Sequence, residues 1–241
     1  MTHSPHDDAH AHALHGVGVV VVAAGSGSRL GADRPKAFVR LDGETILEHA
    51  LVGALAAGAA RVVLVVPAEL VEEAQGFLDL HAGCGCGDPV VVPGGAERGD
   101  SVAAGLAVLG EDIDVVLVHD AARCLTPAVV YERVVAAVRD GAAGAVPGLP
   151  VVDTIKIVDD DGVITATPAR STLRAVQTPQ GFPLGLLREA HASGRQATDD
   201  AALVEQLGHD VVVVEGDPLG FKITDQEDLR RARSLLAQDG R

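Results

Sequence analysis

The sequence predicts an α/β fold built on a doubly wound, mostly parallel sheet. Short, continuous apolar runs at Gly18–Ala24, Arg61–Val66 and Asp114–His119 have the length and composition of strands that are covered on both faces. Segments with helical periodicity separate these runs, and such alternation is typical of parallel sheets. After Gly144 the pattern changes to shorter strands of alternating polarity. The sequence therefore predicts a Rossmann-like, three-layer core from which a β-arm protrudes.

The composition limits the classes of function. The chain has 241 residues, of which 47% are hydrophobic and 2% aromatic, and its formal net charge is −15. We expect a single domain at residues 17–241, after a disordered, histidine-rich tail at residues 1–16. The negative charge and the lack of aromatic stacking platforms disfavour a nucleic-acid binder. No apolar run reaches the ~18 residues of a membrane span and no secretory signal is evident, so we expect a cytoplasmic protein without a membrane partner.

The first apolar run leads directly into a loop rich in glycine and positive charge. Gly25 and Gly27 permit positive φ angles, while Arg29 and Lys36 supply charge. Successive free N–H groups in such a turn form a concave anion site, for which phosphate is the expected guest. The spacing matches neither a P-loop nor the G-x-G-x-x-G of a dinucleotide fold, in which Gly31 would come one residue late. A tight turn with incidental charge remains the alternative interpretation at this point.

Two further loops are predicted at the same edge of the sheet. A second glycine turn at Gly94–Gly95 follows a short strand at Pro89–Val92, and Asp120 and Arg123 follow the strand at Asp114–His119. In doubly wound sheets, ligands bind beyond the carboxyl ends of the strands. We therefore expect the three loops to converge on one binding site.

Helices are predicted from periodicity and from capping residues. Thr45 and Glu48 have the spacing of a capping box for a helix that continues to Gly58. Asp100 or Ser101 is expected to cap the helix after the second glycine turn. The other predicted helices lie at 68–80, 126–139 (capped by Thr126, with Pro127 at its first position), 183–193 and 199–207, and a separate terminal helix ends at about residue 238. Strands are predicted at 61–66 and 210–215.

The β-arm is placed at about residues 150–178. Short strands at Val151–Val158 and Val163–Ala166 flank a turn at Asp159–Gly162, and Arg174–Gln177 follows. An arm without a core of its own usually packs against another chain. We therefore expect a homodimer formed through the arm.

A few isolated residues allow more than one interpretation. Arginine supplies 16 of the 19 basic residues, so the three lysines suggest positions that need a compact ammonium group. Lys36 and Lys222 lie in candidate site segments, whereas Lys156 could equally form a hairpin ion pair with the aspartates beside it. His119 is expected to be packed or hydrogen-bonded rather than a proton shuttle. The cysteines are odd in number and lack zinc-type spacing; they are Cys84, Cys86 and Cys124.

Seven motifs make the sequence recognisable between Ala23 and Leu229. In chain order they are AAGSGSRLGADRPKAF, GGAERGDSV, HDAAR, DTIK, TPQGF, TDDAALVE and FKITDQEDL. Together they resemble the 2-C-methyl-D-erythritol 4-phosphate cytidylyltransferases. The resemblance implies transfer of CMP from CTP to a sugar-alcohol phosphate, with Mg²⁺ and with release of pyrophosphate. Ribitol 5-phosphate is the alternative acceptor, because cytidylyltransferases for that substrate look similar. A nucleotide-binding protein without turnover is the alternative from a different class.

The resemblance also assigns roles to residues. The implied catalytic residues are Arg29, Lys36 and Lys222. The implied nucleotide-binding residues are Ala23, Ala24, Gly25, Gly27, Arg29, Lys36, Gly95, Ser101, Asp120 and Lys222. The implied acceptor-binding residues are Asp120, Arg123, Thr154, Arg170, Thr178 and Thr198, of which those on the β-arm could serve the site of a partner subunit. Asp120 is also the candidate magnesium ligand, unless it caps the helix that follows.

Overall fold

The computed structural model describes residues 14–25, 30–31, 33–81 and 89–239. Residues 1–13 of the predicted tail lie outside these ranges. Leu14 is fully buried, and its carbonyl accepts a 3.0 Å hydrogen bond from the Val17 N–H. The packed part of the chain therefore begins before the predicted boundary at residue 17. Among the described residues, no helix has both the length and the apolarity needed to cross a membrane.

The strands and helices follow the predicted alternation. The strands are β1 (Val17–Val22), β2 (Arg40–Leu41), β3 (Glu44–Thr45), β4 (Arg61–Val66), β5 (Val90–Pro93), β6 (Val115–Asp120), β7 (Gly144–Pro150), β8 (Ile157–Val158), β9 (Ile164–Ala166), β10 (Arg174–Val176), β11 (Gln180–Pro183) and β12 (Val211–Glu215). The α-helices are α1 (Ile46–Ala56), α2 (Val71–His81), α3 (Arg98–Ala107), α4 (Ala128–Arg139), α5 (Leu184–Ala192), α6 (Asp200–Gln206) and α7 (Gln226–Asp239).

One eight-stranded sheet organises the fold. Its strand order is β10-β7-β11-β6-β1-β4-β5, and β12 also pairs with β7. The strands around β1 are parallel, as are β7 and β12, whereas β10 and β11 pair antiparallel to their neighbours. The carboxyl ends of β1, β4, β5 and β6 therefore meet at one edge, where the candidate loops were predicted.

Successive residues of the central strands enter two different hydrophobic cores. Val19 and Val21 pack in the core formed with α1, α2, α4 and α7, whereas Val20 packs in the core formed with α3, α5 and α6. Helices thus cover both faces of the sheet, which confirms the predicted three-layer α/β fold. Gly105 permits the close approach of α3, because a Cβ atom at this position would lie 2.5 Å from a methyl group of Val20.

The capping predictions had different outcomes. Thr45 caps α1 as predicted: its hydroxyl accepts from Glu48 N–H at 3.1 Å, and the Glu48 carboxylate accepts from Thr45 N–H at 2.6 Å. The prediction for α3 was wrong, because the helix begins at Arg98 and neither Asp100 nor Ser101 is its N-cap residue. The Asp100 carboxylate instead accepts from the backbone N–H of the N-cap residue, at 3.1 Å.

The predicted start of α4 was also wrong by one residue. Pro127 occupies the N-cap position, and the first helical residue is Ala128. The Thr126 hydroxyl donates to the Arg123 carbonyl at 2.8 Å and makes no cap hydrogen bond. A proline N-cap has no side-chain oxygen, so this helix begins without the capping interaction that the sequence suggested.

The β-arm leaves the main sheet after β7 and carries a short sheet of its own. β8 pairs only with β9 among the described strands, and the turn between them has Gly162 at φ +80°. Strand structure was predicted from Val151, but it begins at Ile157. The predicted end of the arm at about residue 178 was also wrong, because β10 pairs with β7 in the main sheet. The Lys156 ammonium donates to the Thr167 hydroxyl at 2.9 Å, within the arm. The apolar side chains of the arm are exposed, with Val152 at 78% and Val163 at 60%.

Candidate active site

A cavity of about 290 Å³ lies at the carboxyl edge of the sheet. It is bounded by residues that follow β1, residues that follow β5, and residues at the end of β6, as the sequence predicted. The lining residues are Val22, Ala23, Ala24, Gly25, Lys36, Ala37, Gly95, Ala96, Glu97, Arg98, Ser101, Asp120, Ala121, Ala122 and Lys222. The predicted nucleotide-binding residues within the described ranges are therefore all in this lining. Gly27 and Arg29 lie outside the described residues.

The wall of the cavity near β5 is held by backbone contacts that glycine makes possible. The Gly95 N–H donates to the Ser101 hydroxyl at 3.2 Å, and that hydroxyl donates to the Glu97 carbonyl at 3.2 Å. A Cβ atom at Gly94 would lie 2.4 Å from the Ala24 Cβ. The second glycine turn therefore packs against the end of β1 and presents main chain rather than side chains to the cavity.

Lys36 connects two segments that are distant in sequence. Its ammonium donates to the Ile223 carbonyl at 2.8 Å, and the neighbouring residue, Lys222, also lines the cavity. The Gln226 side chain donates to the Leu30 carbonyl at 2.7 Å. The first residue of α7 therefore contacts the end of the first glycine-rich loop, and the segment before α7 brings two lysines to one cavity.

Asp120 lies between two cations. Lys222 Nζ is 2.7 Å from Asp120 Oδ2, and Arg98 Nε is 3.9 Å from Asp120 Oδ1. Burial alone would raise the pKa of the Asp120 carboxyl, but Lys222 and Arg98 hold this pKa below its ordinary value. Asp120 therefore remains ionised and keeps both cations at the cavity.

Arg98 was missed in the sequence-based assignment. It opens α3, and its guanidinium donates to Asp200 Oδ2 at 2.7 Å. Burial alone would lower the pKa of Arg98, but Asp200 and Asp120 raise it, so the guanidinium stays charged. The available signal was its place in GGAERGDSV directly after the second glycine turn, where a first-turn side chain faces the same edge of the sheet.

Thr178 supports the cavity from behind. Its hydroxyl accepts from the Asp120 N–H at 3.0 Å and lies 3.1 Å from His119 Nδ1. His119 is fully buried and packs against Tyr131, and burial lowers the His119 pKa to about 4. His119 is therefore a neutral, packed residue, in agreement with the prediction.

The other predicted acceptor-binding residues do not line the cavity of the single chain. The Arg123 guanidinium donates to the carbonyls of Gly220 at 2.7 Å and Val176 at 3.2 Å, which ties the end of β10 to the segment after β12. Arg170 donates to the Val152 carbonyl at 3.0 Å within the arm. Thr154, on the arm, and Thr198, just before α6, are exposed. Their role in binding the acceptor stays a prediction.

The thiol that the structure describes does not contribute to the site. Cys124 is buried, and burial raises its pKa to about 12, so it remains protonated and unreactive near neutral pH. Cys84 and Cys86 lie outside the described residues.

Comparison with known proteins places this site in a family. The family model for 2-C-methyl-D-erythritol 4-phosphate cytidylyltransferase (IspD) matches residues 17–238. A protein of that name from Rhodococcus jostii is 54% identical over 91% of this chain and 94% of its own length. One from Nocardia farcinica is 53% identical over 90% of this chain and 92% of its own length.

Solved structures agree with the sequence relatives. The crystal structure of 2-C-methyl-D-erythritol 4-phosphate cytidylyltransferase from Thermus thermophilus superposes with a TM-score of 0.73 at 37% identity, over 92% of this chain and 98% of that one. The 4-diphosphocytidyl-2C-methyl-D-erythritol synthase of Anaerococcus prevotii gives a TM-score of 0.79 at 28% identity, with the same coverage of 92% and 98%. On the motifs, the fold and these matches, the chain belongs to the 2-C-methyl-D-erythritol 4-phosphate cytidylyltransferase family.

Proposed function

We propose that this enzyme transfers CMP from CTP to 2-C-methyl-D-erythritol 4-phosphate, giving 4-diphosphocytidyl-2-C-methyl-D-erythritol and pyrophosphate in isoprenoid biosynthesis. The observation that carries the proposal is the gathering of Lys36, Arg98 and Lys222 at one cavity of a chain whose net charge is −15. A surface that repels anions elsewhere and attracts them at one edge suits two anionic substrates. The alternative acceptor, ribitol 5-phosphate, is not favoured by the names of the relatives.

The chemistry explains the composition of the cavity. An oxygen of the acceptor phosphate attacks the α-phosphorus of CTP and forms a new P–O–P bond. The bond from the α-phosphorus to the oxygen that bridges it to the β-phosphorus breaks, and pyrophosphate takes that electron pair. The attacking oxygen is already anionic near neutral pH, so the reaction needs no general base. Catalysis then consists of positioning and of fixed positive charge at the phosphoryl oxygens, which lysine and arginine side chains supply.

The glycine turn after β5 suits recognition of the base. Gly95 and Ser101 line the cavity beside Ala23 and Ala24. A main-chain edge can pair with the hydrogen-bonding edge of a pyrimidine, and a narrow wall excludes a larger purine. We therefore assign the cytosine to this side of the cavity and the triphosphate to the lysine side.

A magnesium ion fits the donor set only in a limited way. The described residues contain no group of three or more histidine, cysteine or carboxylate side chains that could hold a metal. Mg²⁺, however, often binds through one or two carboxylates together with substrate phosphates. Asp120 Oδ1 is 3.9 Å from Arg98 Nε, beyond hydrogen-bond distance, so this oxygen is suited to ligation. When bound there, Mg²⁺ would neutralise charge on the triphosphate.

The β-arm supports the proposal of a homodimer. Its exposed apolar side chains have the character of a surface that another chain covers. Thr154 and Arg170 lie on this arm and away from the cavity of their own chain, so we propose that they contact the acceptor in the site of the partner. We also propose a cytoplasmic location, because CTP and a sugar phosphate are charged and cross membranes poorly.

Pyrophosphate release tests the proposed function. The full chain is assayed with CTP and Mg²⁺ and with each acceptor phosphate in turn. We expect turnover with 2-C-methyl-D-erythritol 4-phosphate and on the order of 100-fold less with ribitol 5-phosphate, which lacks the methyl branch and has a longer chain, because one missing or extra carbon group in a fitted pocket is worth about 10–200-fold. Faster release with ribitol 5-phosphate would replace the acceptor. Release with neither acceptor would overturn the proposed activity.

A further inference from the structure

A buried ion-pair chain lies behind the cavity, outside the residues that the family resemblance assigned. The Asp200 carboxylate has no exposed surface. One oxygen is 2.7 Å from Arg98 Nη2, and the other is 2.9 Å from His191 Nε2, whose side chain is 7% exposed. The order of groups from the interior to the cavity is thus His191, Asp200, Arg98, Asp120 and Lys222.

Burying a carboxylate is costly unless it is fully paired, so this arrangement needs an explanation. Two partners satisfy Asp200, and they hold its pKa below its ordinary value although burial alone would raise it. The charge is therefore present in the folded protein. A bare structural role would need only an apolar side chain at this position, because the start of α6 is already capped by the neighbouring Asp199, whose carboxylate accepts from Ala202 N–H at 3.0 Å.

The geometry points to a directing role for this charge. We infer that Asp200, oriented by His191, is a positioning residue that holds the Arg98 guanidinium in the cavity, where Arg98 contacts the anionic substrates as a further catalytic cation. This inference rests on the proposed function. It assigns to Arg98 a part that the sequence motifs gave to Lys36, Lys222 and Arg29 alone.

The planar guanidinium of Arg98 can be oriented by the carboxylate that it contacts. Nη2 is fixed by its 2.7 Å hydrogen bond to Asp200, and Nε lies 3.9 Å from Asp120, in ion-pair range, so Asp200 orients one edge of the fork and the charge lies beside Asp120. The Arg98 side chain is 33% exposed and lines the cavity, and its guanidinium has further N–H donors besides the one that Asp200 accepts. Holding a cation in place before the reaction is what makes it effective in the transition state. A lysine in this place would keep the charge, but it has no planar fork that a hydrogen bond to Asp200 could orient.

A double-mutant cycle tests whether Asp200 acts through Arg98. The variants are Asp200→Asn, Arg98→Met and the double variant, in the full chain with CTP, Mg²⁺ and 2-C-methyl-D-erythritol 4-phosphate. We expect kcat to fall on the order of 100-fold for Arg98→Met and about tenfold for Asp200→Asn, the range for lost or misplaced transition-state donors. KM for CTP should change less than about threefold, because the interaction strengthens in the transition state. Adding Asp200→Asn to Arg98→Met should cause no further loss of kcat.

Matched variants separate this role from a structural one. Asp199→Asn removes a carboxylate from the same helix start, where Gln180 Nε2 lies 2.9 Å from Asp199 Oδ2, but it leaves the Arg98 contact intact, so kcat should stay within about twofold of wild type. If Asp200→Asn does not yield folded protein, Arg98→Lys decides, because it keeps the charge and loses the fork. We expect Arg98→Lys to lose at least about tenfold in kcat.

Several outcomes would overturn the inference. Equal losses from Asp200→Asn in the wild-type and Arg98→Met backgrounds would mean that the two residues act independently. Wild-type kcat in Asp200→Asn or in Arg98→Lys would mean that the position of the guanidinium is unimportant. A wild-type enzyme without turnover would instead refute the proposed function, so the two failures are distinguishable.

Discussion

The cavity at the sheet edge and the β-arm differ in how their polar groups are held. Around the cavity, side chains are fixed by contacts between segments far apart in sequence, such as Lys36 to the Ile223 carbonyl and Lys222 to Asp120. On the arm, hydrogen bonds are local: Arg170 reaches Val152 and Lys156 reaches Thr167. The cavity is therefore organised within the single chain by contacts between distant segments, whereas these two polar contacts of the arm stay within the arm.

This difference suggests a division of labour within the proposed enzyme. Preorganised charge at the cavity lowers the barrier to transfer, because it needs no rearrangement as the reaction proceeds. The arm presents exposed apolar side chains and acceptor-binding candidates, and in the proposed homodimer a second chain covers that surface. Substitutions in the two regions should therefore have different effects: those at the cavity should lower the rate of the single chain, and those on the arm should act through its contact with another chain.

The largest expected effect separates the lysine of the cavity from the lysine of the arm. Lys36→Ala should lower the rate of pyrophosphate release at least about 100-fold, because one fixed cation is lost from the transition state. Lys156→Ala, the matched control, should stay within about twofold of wild type, because its ammonium donates only to an exposed threonine in the described contacts. Steady-state kinetics with both substrates measures the effect, and circular dichroism checks that both variants fold. Wild-type turnover in Lys36→Ala would remove this lysine from the mechanism.

Lowering the pH should destabilise the folded protein through His119, which is buried behind the cavity. Burial lowers the pKa of His119 from 6.5 to about 4, so the folded protein keeps this ring neutral while the unfolded chain takes up a proton. The unfolded state therefore binds more protons between these two values, and the free energy of unfolding should fall as pH decreases from about 6.5 to about 4, by about 3 kcal/mol. The depressed pKa values of Asp120 and Asp200 cause losses only at lower pH, below their ordinary value of 3.8.

Urea unfolding across this pH range provides the measurement. His119→Gln is the control, because glutamine keeps polar groups beside Thr178 but does not titrate. The variant should be less stable near neutral pH and should lose most of the pH dependence between about 6.5 and about 4. An unchanged slope in His119→Gln would assign the acid sensitivity to other groups.

The sequence predicted the layers of the fold and most of the cavity, for physical reasons that differ between the two. Val19, Val20 and Val21 lie in one apolar run, and only a strand covered on both faces can bury such a run. The cavity followed because parallel strands bring their carboxyl ends to one edge. Neither argument depends on contacts between distant side chains.

The sequence failed where such contacts decide the outcome. Arg98 was overlooked because its role depends on Asp200, which is 102 residues away in the chain. The two hydrogen bonds from the Arg123 guanidinium to backbone carbonyls could not be read from its motif either, and its role at the acceptor stays a prediction. Local errors have the same cause on a smaller scale: the Thr126 hydroxyl turns back to the Arg123 carbonyl, so it is lost to the helix that follows.

The smallest expected effect concerns the arm, and it tests whether the cavity is sufficient by itself. Val163→Asp places a charge on an apolar side chain that is 60% exposed in the single chain. If a second chain covers the arm, this charge would be buried without a partner, so the dimer should dissociate and turnover should fall about tenfold at low protein concentration. The matched control is Val129→Asp, at a valine that is 39% exposed on helix α4, and it should leave the oligomeric state and the turnover unchanged. Light scattering after size-exclusion chromatography gives the mass of each variant in solution, and the kinetic assay gives its turnover. A monomeric Val163→Asp variant with full turnover would mean that one chain holds the entire site. The cavity and the arm would then differ only in how their side chains are packed, and the arm would have no part in the reaction.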